Sequence, residues 1–142
     1  MTSPDQPTTT EATITLRRRL ITAAIVLMVG SLAPWANFLG LASASGLAVR
    51  FGWVTPLAGT AVLTIALDPA WLARLGWLSA RRRRVLLTLG VVSIIDCLLV
   101  ILGAAHSPYG AAIGPEWGVF LTLAAAIGVV VLTRDPADRK AP

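Results

Sequence analysis

Charge is scarce in this sequence: 13% of its 142 residues are Asp, Glu, Lys or Arg, against roughly a quarter in an ordinary soluble domain. A chain this short needs a large polar surface to dissolve in water. The shortage therefore excludes a soluble enzyme and a disordered chain. Cysteine is nearly absent as well, and one thiol, Cys97, cannot build a disulfide scaffold. There is one histidine, His106, with no second cluster of ligands to make a metal site. Cys97 and His106 stand nine positions apart, along a helix and its exit, so they do not form a dyad. Glycine-rich phosphate loops, nucleophile elbows and helical zinc motifs are all missing. The expectation is a non-enzyme with no catalytic, metal or cofactor residues.

What the sequence has is apolar length. Apolar residues make up 56% of it, and the mean hydropathy is +0.75. The apolar residues gather in four runs, each close to what crosses a ~30 Å hydrocarbon core as a helix. The predicted fold is all-α: a transmembrane bundle of four helices, with spans at about 20–36, 53–68, 85–103 and 117–133. Residues 1–16, rich in Thr and Pro, read as a disordered tail, and 134–142 as a second polar tail. Gly40 to Gly46 and Ala104 to Trp117 read as loops from their Gly, Ser and Pro content. Asp68-Pro69 ends or kinks the second run. Residues 70–80, where Trp71, Leu72, Leu75 and Leu78 surround Arg74, read equally as an interfacial helix or a continuation of the second span.

Net charge is +5, and the basic residues fall in clusters that flank the runs: Arg17 to Arg19, Arg81 to Arg84, and Arg134 with Arg139 and Lys140. Flanking clusters serve membrane orientation rather than nucleic-acid binding. With four spans every basic residue except Arg50 lies on one side. The positive-inside rule makes that side cytoplasmic, with both termini there. The preference for Arg over Lys, with heavy use of Ala and Gly, fits a high-GC bacterial genome, so the expected location is the bacterial inner membrane, multi-pass. Trp35, Trp53 and Trp117 fall near the outer interface, where an indole keeps its N–H wet. Arg17-Arg18-Arg19-Leu20-Ile21 followed by Ala42-Ser43-Ala44 has the outline of a cleaved twin-arginine signal. Pro34, Trp35, Asn37 and Phe38 make the segment too long and bulky for one.

Asp96 is the one charged residue inside the third run. Counted at ~1.5 Å per residue from Val85, it lies about 16 Å deep. An ionised carboxylate there costs about 2.5–3.5 kcal/mol, so it must be protonated, paired or wet. The same depth count brings Ser31 of the first span and Thr64 of the second beside it as hydrogen-bond partners. Stripes of small residues suggest the packing faces: Gly52, Pro56, Thr60 and Thr64; Gly90, Ser93 and Cys97; Ala124 and Gly128. At the outer surface, Arg50 and Glu116 could pair under a cap formed by Trp35, Trp53 and Trp117.

The chain resembles the small four-span membrane proteins of unknown function that are common in actinobacteria. The resemblance rests on Arg17–Arg19 before the first span, Pro34-Trp35 at its exit and Gly52-Trp53 opening the second. Arg81–Arg84 before the third and Gly114-Pro115-Glu116-Trp117-Gly118 opening the fourth complete it. It implies a topology and carries no activity. The expected partners are the lipid bilayer and either a second copy or another membrane protein, with no nucleic acid. The expected function is an interaction or assembly component; the competing one is an oligomeric proton- or cation-coupled transporter or channel working through Asp96.

Overall fold

The computed structural model describes residues 9–39, 42–48, 52–68, 81–106 and 113–134. Four helices dominate: α1 (Thr9–Leu32), α2 (Val54–Leu67), α3 (Arg82–Ala105) and α4 (Trp117–Arg134). Their interiors are runs of Leu, Ala, Val and Ile, and the one proline within them, Pro56, sits in the first turn of α2, where a missing N–H costs little. α1 begins well inside the segment expected to be a disordered tail. Glu11 in its first turn suits the positive end of the helix. The other three helices lie within three residues of the expected spans. Residues 70–80, Arg50 and residues 135–142 fall outside the described residues.

α1 packs against both α2 and α4, and α4 packs against α3; the α2–α3 seam is the looser one. The last carbonyls of a helix have no donors of their own, and here neighbouring arginines supply them. Arg17 donates from Nε to the Ala66 carbonyl (2.8 Å) and from Nη2 to that of Leu67 (2.6 Å), closing α2. Arg83 Nε donates to the Thr133 carbonyl (3.2 Å), closing α4. A cation at a helix C-terminus also meets the negative end of the dipole. These bonds gather Arg17–Arg19, Arg81–Arg84 and Arg134 at one end of the bundle, the arginine end.

The opposite end corrects the all-α expectation. A three-stranded antiparallel sheet caps it, in the order β2 (Ala42–Ser45), β1 (Pro34–Phe38), β3 (Ile113–Pro115). Pro34 explains why the first span stops at Leu32 rather than 36: it lacks an N–H and disfavours helix at Ala33. The chain turns extended, and Gly40–Gly46, expected as loop, supplies the partner strand. Register slips between Pro34 and Ala36. This bulge breaks the in–out alternation, so Trp35 and Ala36 are both buried. A 3-10 turn, Gly46–Ala48, follows β2. Gly46 is required there: a Cβ would strike the Ser31 carbonyl and the Trp35 ring.

The core has three layers. Ala24, Val62, Ile65, Leu86 and Val129 form the one nearest the arginines. Leu27, Ala58, Ala125 and Ala126 fill the middle. Trp35, Cys97 and Val119 close the sheet end. The buried face of α2 is Thr55, Ala58, Gly59, Val62, Ile65 and Ala66, not the expected Gly52–Pro56–Thr60–Thr64 row, of which Thr60 is exposed. Gly90, Ser93 and Cys97 are buried together as expected. Among the described residues nothing stands within 4 Å of a Cβ position at Gly128, and Ala124 is exposed, so the Ala124–Gly128 pair does not close a helix contact there.

Large apolar side chains meanwhile stand outside on every helix, among them Ile25 and Val29, Leu57, Ile95 and Leu99, Ile127 and Val131. Arg82–Ala104 and Trp117–Arg134 are long and apolar enough to cross a membrane. α2 is apolar and shorter, at 14 residues.

Candidate functional site

Asp96 is buried, at 6% exposure, on the face of α3 that meets α2. Thr55 Oγ1, itself fully buried, donates to Asp96 Oδ2 at 2.8 Å. Thr55 lies in the first turn of α2, whose N-cap, Trp53, contributes no side-chain hydrogen bond. The carboxyl thus stands at the positive end of a helix, where unbonded N–H groups and the dipole favour an acceptor. This hydrogen bond crosses the loosest of the seams between neighbouring helices.

The other buried hydroxyls turn inward on their own helices. Ser31 donates to the Met28 carbonyl (2.6 Å), Thr122 to that of Gly118 (2.8 Å) and Thr133 to that of Val129 (2.6 Å). Such back-bonding satisfies a hydroxyl without committing it to a neighbour. Ser93, one turn before Asp96, is fully buried and its Oγ has no partner among the described residues.

The expected partners of Asp96 are therefore corrected. Ser31 has nearly the right depth but spends its proton on Met28. Thr64 donates to the Thr60 carbonyl (2.9 Å) and lies one turn from the arginine end. The depth count for α2 fails because the helix is sunk. Its last carbonyls are level with Arg17, and 14 residues span only about 21 Å. Its first turn, not its middle, reaches the level of Asp96, about 20 Å along α3 from Arg83. The signal that picks out Thr55 is its helical phase with Ala58, Gly59, Val62 and Ile65.

No known protein family, curated protein or solved structure matches this chain.

The expected aromatic cap separates into different environments. Trp35 is fully buried, its indole Nε1 donating to the Gly30 carbonyl at 2.8 Å, whereas Trp53 and Trp117 are exposed. Trp35 is a plug under the sheet rather than an interfacial ring, because the bulge in β1 turns it inward. Glu116 joins this region through its backbone, its N–H donating to the Trp35 carbonyl at 3.0 Å. The Arg50–Glu116 pair cannot be placed, since Arg50 lies outside the described residues. His106 ends α3, its Nδ1 2.9 Å from the Leu102 carbonyl. Among the described residues no three His, Cys, Asp or Glu side chains gather to hold a metal ion.

Proposed function

We propose that the chain is a four-span protein of the bacterial inner membrane, with both termini cytoplasmic. It acts without catalysis as an interaction or assembly component, and Asp96 fastens two of its helices. The observation that carries the membrane reading is the inverted distribution of polarity. Ser31, Thr55, Ser93, Asp96, Thr122 and Thr133 are buried, while Leu, Ile and Val crowd the outside. A soluble domain seldom exposes so much contiguous apolar surface, whereas a bilayer solvates it. The arginine end supports the orientation through the positive-inside rule.

The structural role of Asp96 is favoured by what surrounds it. Oδ2 already accepts from Thr55, and the nearby first turn of α2 presents positive potential, which opposes a cation at the same carboxyl. In the competing reading, an oligomer conducts protons or cations through Asp96. Purified protein in liposomes separates the two. Neither wild type nor Asp96→Asn should carry proton or cation flux, and the Asn variant should melt within a few degrees of wild type. Flux in the wild type that Asp96→Asn abolishes would overturn the assignment.

Topology is tested by reporter fusions that are active only in the periplasm. These should be silent at residues 5 and 140 and active near 46 and 109. A periplasmic C-terminus would sink the four-span reading.

A further inference from the structure

We propose that a groove between α1 and α4 at the arginine end binds an anionic phospholipid. Its phosphate is held by Arg18 and Arg19, and one acyl chain lies along the gap between the helices. This rests on the membrane reading above.

The groove, about 360 Å³ and open to the side, is lined by Arg18, Arg19, Thr22, Val26, Ala124 and Gly128 among others. It lies on the flank of the α1–α4 seam, whose inner side is closed by Ala24 and Val129. Near the sheet the two helices touch closely: a Cβ on Gly30 would lie 2.5 Å from Thr122 Oγ1. Nearer the arginines, on the flank of the seam, nothing among the described residues stands within 4 Å of a Cβ position at Gly128. Small residues on α4 leave the gap unfilled, and Val26 supplies an apolar wall. Thr22 adds no free polar group, since its hydroxyl donates to the Arg18 carbonyl at 3.1 Å.

The charges sit at one mouth only. Arg17 and Arg83 are committed to helix ends. Arg18 and Arg19 are exposed and their guanidinium groups have no hydrogen-bond or ion-pair partner among the described residues. A guanidinium fork matches phosphate oxygens in pairs. From Arg18 to Val26 is about 12 Å of helix, close to the ~15 Å depth of one leaflet. A cationic mouth at the cytoplasmic headgroup level, above an apolar slot one leaflet deep, is complementary to an amphiphile with an anionic head. A protein helix would need its own acidic residue at the same level and is a less specific match.

The test uses full-length purified protein and native mass spectrometry with phosphatidylglycerol against phosphatidylcholine of matched chains. Wild type should retain phosphatidylglycerol preferentially. Arg18→Gln and Arg19→Gln should each cut that preference about fivefold, the scale for one arginine at an anionic surface. Gly128→Leu should fill the slot and release lipid with the charges intact. Arg84→Gln, exposed at the same end but outside the groove, should keep the preference. Unchanged melting of each variant establishes that the fold persists. An Arg84→Gln loss equal to that of the groove arginines would reduce the effect to diffuse charge and overturn the site, as would lipid retained by Gly128→Leu. Wild type absent from carbonate-washed membranes would sink the membrane reading itself, and the lipid site with it.

Discussion

Replacing Thr55 with Val removes one hydroxyl from the α2–α3 seam and leaves its shape nearly unchanged. Thr55 is fully buried and Asp96 is 6% exposed, so no water enters to replace the lost donor. Interhelical hydrogen bonds inside membranes average about 0.6 kcal/mol and reach about 1.7. The upper half of that range applies here, because the acceptor is a carboxyl and the two helices share few other contacts. Thr55→Val should therefore cost about 1–1.7 kcal/mol. Asp96→Leu should cost a similar amount, and the double variant less than the sum by the energy of the shared bond. The coupling is measured as a double-mutant cycle in detergent or bicelle unfolding. Ser31→Ala and Thr64→Val serve as internal references. Each loses only a bond within its own helix, so neither should couple to Asp96. Additivity of Thr55→Val with Asp96→Leu would refute the reasoning, and so would coupling that appears instead with Ser31 or Thr64.

Gly118→Ala should destabilise the sheet end by about 1–3 kcal/mol, the usual cost of overpacking. Its Cβ would strike the Pro34 carbonyl and stand 2.8 Å from Ala33 Cβ, so backbone must move; an unchanged melting temperature would show that α4 does not meet β1 there. Ser93→Ala should hold or raise stability by up to about 1 kcal/mol, because the hydroxyl it removes is buried with no partner among the described residues. A clear loss of stability on calorimetry would mean that Ser93 makes a bond after all.

Much of the helical framework was legible in the sequence. Several starts and stops are written locally: Asp68-Pro69 ends the second run, Arg81–Arg84 precede the third and Arg134 closes the fourth, whereas the first span, read from 20 to 36, missed both the start at Thr9 and the stop before Pro34. The ends of α2 and α4 follow from these signals to within a residue or two. Their common polarity also follows, because alternating runs with charge at every second boundary gather the arginines together. Asp96 announced itself as the one charge in an apolar run.

The small-residue rows show where local reading fails. Gly52, Pro56, Thr60 and Thr64 are spaced by four throughout, and at 100° per residue each step drifts 40° around the helix, so the row leaves the buried face. Thr55, Ala58, Gly59, Val62, Ile65 and Ala66 alternate threes and fours and stay on it.

The sequence by itself determined that the chain is helical and apolar, where most helices run and which end carries the arginines, because those properties depend on neighbours along the chain. Tertiary structure alone decided the sheet, the burial of Trp35 and the partner of Asp96. The strands are five, four and three residues long, and β1 pairs with β3 across more than seventy residues of chain, Phe38 with Ile113 and Ala36 with Pro115, which no local periodicity encodes. The choice of Thr55 over Thr64 depends on how far α2 sinks between its neighbours. That depth is set by Arg17 holding its last carbonyls level with the arginine end.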